Sequence, residues 1–155
     1  MQLLIKATLM ISLPIGSAVS AEPIMLPNSP FDGYRTIRWE DEKARLDNFS
    51  IQLTHVNTQA LGFILVFDQT GGCPGEAQAR ATRAKRYMVE YRGVPWNRII
   101  WRQEGYALDI STTLLIVPKG VNVPYPYIET HDPKVDGPLT RACRIRLERI
   151  RKSRW

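Results

Sequence analysis

Histidine and cysteine are scarce in this chain, two of each in 155 residues. His55, His131, Cys73 and Cys143 stand far apart with no ligand-type spacing, so a structural zinc has no basis. The sequence also lacks a phosphate-cradling glycine loop, a nucleophile elbow and a metal-ligand cluster; Gly71, Gly72 and Gly75 are turn chemistry. Without a nucleophile, a paired acid and base or a metal, the expectation is a non-catalytic protein with no cofactor. After Ala21 no apolar run approaches the roughly 20 residues that cross a bilayer, so the mature chain is expected to be soluble or peripherally attached.

The first residues set the compartment. Met1 to Ala21 carries one early cation, Lys6, an apolar run from Ala7 to Ile15 broken by Pro14, and a small-residue end. That is the pattern of a secretory signal peptide over 1–21, with Glu22 opening the mature protein. Export directs the chain to the periplasm and gives Cys73 and Cys143 the chance to oxidise. A bridge between them would clip the C-terminal tail onto the start of the main helix. Two unpaired thiols are the alternative.

Charge is unevenly spread. The chain carries a formal +6, and Arg141, Arg144, Arg146, Arg149, Arg151, Lys152 and Arg154 against the single Glu148 put a net +6 into the last fifteen residues alone. The tail, and not the body, is therefore drawn to anionic surfaces. Because the usual anions outside the cytoplasm are lipid head groups and cell-wall polymers, nucleic acid is not an expected partner. An anionic membrane surface, with Trp155 as an interfacial residue, or a partner protein held by the tail are.

Periodicity places the elements. Residues 22–38 form an extended leader rich in proline and turn formers, with a short strand over Arg35 to Arg38. Trp39 to Val56 is predicted helical, with Leu46, Phe49, Leu53 and Val56 on one stripe, Glu40, Asp41 and Glu42 crowding the first turn, and Lys43 and Asp47 as an i,i+4 pair. Leu61 to Phe67 is a continuous apolar run, the sign of a strand covered on both faces. Asp68 to Gly75 reads as a loop. Gly75 to Gly93 reads as an amphipathic helix whose Ala77, Ala81, Ala84, Met88 and Tyr91 face a sheet, with Arg83, Lys85 and Arg86 turned to solvent. Gly93 suits a left-handed C-terminal cap and Pro95 forbids resumption.

Arg98 to Arg102 is a further strand, Gly105 and Tyr106 a turn, and Leu108 to Val117 an alternating strand that Pro118 stops. Residues 39–118 thus make an α/β sandwich, two helices on one face of a small mixed sheet with a right-handed strand-helix-strand crossover. A proline-rich linker spans 119–138. The tail, 139–155, has Cys143, Leu147 and Ile150 at helical spacing and Cys143, Ile145 and Leu147 at strand alternation; the basic amphipathic helix is the reading adopted.

Leu61 to Val117 resembles the OmpA-like domain of bacterial envelope proteins, in which an apolar strand, a glycine-containing loop, a helix with an Arg-Ala pair, a Gly-Val turn and closing strands follow one another. Ala79, Arg80 and Ala81 fall on the family's Arg-Arg-Ala, and Tyr87 lies seven residues after Arg80, as the family's helix tyrosine does. WEDEKARLDNF from Trp39 and GEAQARATRAKRYMVEYRGV from Gly75 further resemble a group of uncharacterised exported bacterial proteins of related fold. The resemblance implies peptidoglycan binding, with Asp68 and Arg80 holding the zwitterionic diaminopimelate end of the stem peptide. The chemistry suits such an end: an anion for its ammonium, a planar bidentate cation for its carboxylate.

Overall fold

The computed structural model describes residues 29–56, 59–122 and 139–153. The expected signal peptide over 1–21, the start of the leader, most of the 119–138 linker, His131, Arg154 and Trp155 lie outside these residues. The predicted buried strand is the centre of the molecule. β2 (Leu61–Gln69) runs parallel to β3 (Ile99–Ala107) on one side and antiparallel to β4 (Ser111–Val117) on the other, and β1 (Asp32–Tyr34) pairs antiparallel with β4 at the edge. The sheet order is β1-β4-β2-β3. Together with α1 (Trp39–His55), α2 (Glu76–Arg86) and α3 (Arg141–Lys152) this makes a mixed α+β fold.

Burial follows the pleat of β2. Ile64 and Val66 join Ile99 and Leu114 in one core with Leu46, Phe49 and Leu53 of α1 and Ala77, Ala81 and Ala84 of α2, so both helices lie on that sheet face. The alternate residues Phe63 and Leu65 are buried with Leu115 and Val117 in a second cluster on the other face. Gly62 sets the depth of α1: a Cβ there would lie 2.8 Å from Leu53 Cδ2 and 3.0 Å from the Phe49 ring. Glycine is what lets the helix seat this closely.

Several local expectations shift. The first strand is Asp32–Tyr34, not Arg35 to Arg38, because Tyr34 is buried and Phe31 packs on the core. The leader therefore has something to bury. Asp68 and Gln69 belong to β2 and not to a loop, since they pair with Tyr106 and Ala107. Gly105 and Tyr106 lie inside β3 and make no chain reversal: the register passes from Val66 opposite Gln103 to Asp68 opposite Tyr106, one residue more on β3, and Gly105 takes φ 118°. A bulge of this kind needs the residue without a Cβ. The reversal falls after Ala107, where Leu108 is 90% exposed instead of facing in. Lys43 pairs with Glu40 at 2.7 Å, leaving Asp47 to accept from the Tyr87 hydroxyl at 2.7 Å and from Arg92.

α2 continues as one π-helical turn over Tyr87–Tyr91. The wider turn offsets the face of everything after it. Tyr87 is buried while Tyr91, expected on the stripe, is 56% exposed. Gly93 then ends the helix at φ 67°, and Val94 N–H reaches back to Met88 O at 3.1 Å.

Candidate functional site: the basic third helix and its seam with the second

The tail is a helix. Thr140 caps it, its hydroxyl accepting from Cys143 N–H at 3.2 Å. Arg149, Arg151 and Lys152 in the last turn complement the helix dipole, but the first turn has no acid and begins with Arg141. A 12-residue helix is marginal on its own in water, so α3 depends on what it packs against.

That partner is α2, on the side turned away from the sheet. Three links share one spacing: the Cys73–Cys143 disulfide, Arg146 Nη1 to Glu76 Oε2 at 3.3 Å and Arg83 Nη1 to Ser153 Oγ at 3.1 Å each join residues 70 apart in sequence. A constant offset means that α2 and α3 run parallel and in register along the seam. Ala79 is small enough to let Leu147 and Ile150 close against it, and the three form their own buried cluster. The expected bridge thus clips the tail to the start of α2, with Cα atoms 5.3 Å apart.

Arg83 was expected in solvent and is buried instead. Its Nη2 donates to Glu42 Oε2, which shares its carboxylate with the Tyr34 hydroxyl at 3.2 Å, and its guanidinium lies over the Trp39 ring at 4.1 Å. Burial pulls the Arg83 guanidinium below its ordinary pKa, with Glu42 opposing the shift. Burial, and then Glu42, holds the Tyr34 hydroxyl well above its usual range. Sequence spacing put Glu42 among helix-start acids and Arg83 among surface cations. The one sequence signal for the pair is that a helix contacting both a sheet and a further helix has little free face left.

Asp68 and Arg80 sit as follows. Asp68 is buried on β2, its Oδ1 accepting from Gln69 N–H at 2.9 Å. Arg80 is engaged along its own helix, donating from Nε at 3.0 Å and Nη2 at 2.8 Å to Glu76 Oε1. Glu76, itself buried, is thereby held between Arg80 and Arg146.

The outer face of α3 is different. Lys152 pairs with Glu148 at 3.4 Å, while Arg141, Arg144, Arg149 and Arg151 have no carboxylate partner among the described residues. Between them Ile145 is 51% exposed, and Leu139 just ahead of the helix is also exposed. Among the described residues no group of three or more acidic, histidine or cysteine side chains is placed to hold a metal, and no helix is long and apolar enough to span a membrane.

Compared with known protein families, curated proteins and solved structures, the chain matches none.

Proposed function

We propose that this is an exported, non-catalytic protein of the bacterial envelope, an OmpA-like α/β domain that docks on anionic phospholipid through the outer face of α3. The observation that carries the reading is Ile145, half exposed with Arg141 and Arg149 at four residues on either side and Arg144 beside it, the one acid on that face, Glu148, being paired with Lys152. A lone exposed isoleucine is ordinary on a protein surface; beside arginines that have no carboxylate partner among the described residues, it makes a face on which a lipid interface takes both the side chain and the guanidiniums. The Cys73–Cys143 disulfide supports an oxidising compartment. Each cation near an anionic bilayer contributes about 1 kcal/mol, so three unpaired arginines supply about 3 kcal/mol, screened by salt.

The test is co-sedimentation of the chain from Glu22 onward with vesicles, either phosphatidylglycerol-containing or wholly phosphatidylcholine. Binding is expected to the first alone, to vanish in about 1 M salt, and to fall at least tenfold in Arg144→Glu/Arg149→Glu. Equal binding to both compositions, or indifference to the charge reversal, refutes the proposal. The family resemblance also implies peptidoglycan binding at Asp68 and Arg80; a stem-peptide carboxylate there has to take Arg80 from Glu76. Sedimentation with purified sacculi, with and without Arg80→Ala, measures whether it does.

A further inference from the structure

A cleft of about 260 Å3 opens beside the α2–α3 seam, lined by Gly75, Gln78, Ala79, Thr82, Arg86 and Arg151. Gly75, Ala79, Thr82 and Arg86 follow at steps of four, three and four, so they form one face of the helix, and Arg151 closes the cleft from α3. Ala79, buried under Leu147 and Ile150, makes the floor. The volume lies below the roughly 300–1,000 Å3 of drug-sized sites and suits one small group.

The charge of this cleft is uncompensated. Around the two helices Arg80 and Arg146 share Glu76, Arg83 has Glu42, Lys152 has Glu148, and Lys85 lies over the Trp96 ring. Arg86 and Arg151 have no carboxylate partner among the described residues, and no acid lines the cleft. A second cleft of similar size, lined by residues including Glu40, Lys43, Asp47 and Arg92, contains both signs and pairs them internally. Arg86 and Arg151 line one concavity, and like charges there favour an anion between them. Each presents a planar fork of donors, and Gln78 and Thr82 add an amide and a hydroxyl. A carboxylate has two oxygens and satisfies one fork; a tetrahedral phosphate has enough for both and for the neutral donors as well.

We propose that this cleft is a phosphate-binding site, which takes the phosphate of a lipid head group when α3 lies on a membrane. In that form the inference rests on the docking reading above; the same chemistry accepts inorganic phosphate from solution. The disulfide sits two residues before Gly75 and, with the Ala79–Leu147–Ile150 contact, holds α3 in place, so joining Cys73 to Cys143 favours the two-sided cleft.

The experiment is a titration of the oxidised protein with inorganic phosphate, followed by backbone amide NMR, in parallel with the vesicle assay. Saturable shifts centred on Gly75, Gln78 and Thr82 are expected. Affinity should fall about tenfold or more in Arg86→Gln and in Arg151→Gln, with a smaller loss in Arg86→Lys, which keeps charge but not the fork. Reduction of the disulfide should weaken the shifts. Vesicle binding by Arg86→Gln should weaken severalfold without disappearing, because Arg141, Arg144 and Arg149 remain. Shifts spread evenly over the exposed arginines, or a phosphate affinity that Arg86→Gln leaves unchanged, overturn the site even if vesicles bind. Saturable, Arg86-dependent phosphate binding by a protein that ignores anionic vesicles supports the site with solution phosphate as its source, and sinks the docking reading instead.

Discussion

Replacing Arg83 by methionine removes the cation from a buried cluster and leaves the Glu42 carboxylate behind. The two side chains are 10% and 2% exposed, so water cannot make up the loss, and among the described residues the Tyr34 hydroxyl alone still donates to Glu42. Stranding one member of a buried pair costs about 3–5 kcal/mol. The stacking over Trp39 and the hydrogen bond to Ser153 Oγ go as well. A domain of this size has about 5–15 kcal/mol in total, so the single variant should lose roughly a fifth or more of its stability. The double variant Glu42→Leu/Arg83→Met removes both charges and keeps the volume, and should come back to within about 1–2 kcal/mol of the parent, since an apolar pair of similar shape escapes the desolvation cost. Urea unfolding followed by far-UV circular dichroism reads both. Trp39 fluorescence is unsuitable alone because Arg83 lies on its ring. A loss below about 1 kcal/mol in Arg83→Met, or a double variant as unstable as the sum of its singles, would refute the view that Arg83 and Glu42 are a coupled buried pair.

Three further outcomes follow from the packing. Gly62→Ala should cost about 1–3 kcal/mol by pushing α1 off the sheet, because the new methyl meets Leu53 and Phe49 at 2.8–3.0 Å; thermal unfolding measures it. Removing the disulfide by Cys73→Ser/Cys143→Ser opens a loop of 70 residues and should cost about 4 kcal/mol by chain entropy, with amide protection lost first in α3 by hydrogen exchange. Stability should also fall at alkaline pH: folding raises the Tyr34 pKa above its ordinary 10.0, so its contribution is complete below about pH 10 and is lost as pH rises from there toward the folded value. Tyr34→Phe should flatten that limb of a chemical-denaturation series, and an unchanged slope would contradict the assignment.

How far the sequence disclosed this molecule depended on whether a signal was local. The apolar run from Leu61 marks a strand buried on both faces because β2 is central, and Leu46, Phe49 and Leu53 mark α1 because a helix on a sheet repeats its contacts every turn. Ala77, Ala81 and Ala84 face the core as their spacing says. The periodicity fails at Tyr91 because a π turn has no plain sequence signature, and one such turn is enough to carry Tyr91 off the buried face. Gly105 looks like a turn because glycine permits reversal and bulge alike; which one forms is decided by the pairing with β2. The candidate site divides the same way. The cationic tail was legible as charge and its helix as spacing, but the register with α2, the burial of Arg83 and the meeting of Arg86 with Arg151 are properties of two segments brought together across the chain.

The central claim is that the outer face of α3 meets anionic lipid through an apolar side chain set among arginines. Ile145→Asp tests it most directly, since the residue is exposed and its loss leaves the core untouched. Affinity for phosphatidylglycerol-containing vesicles should fall about tenfold or more, from the lost apolar contact and the added like charge, while the thermal midpoint stays within about 2 °C of the parent. An Ile145→Asp protein that binds these vesicles as tightly as the parent would contradict the account.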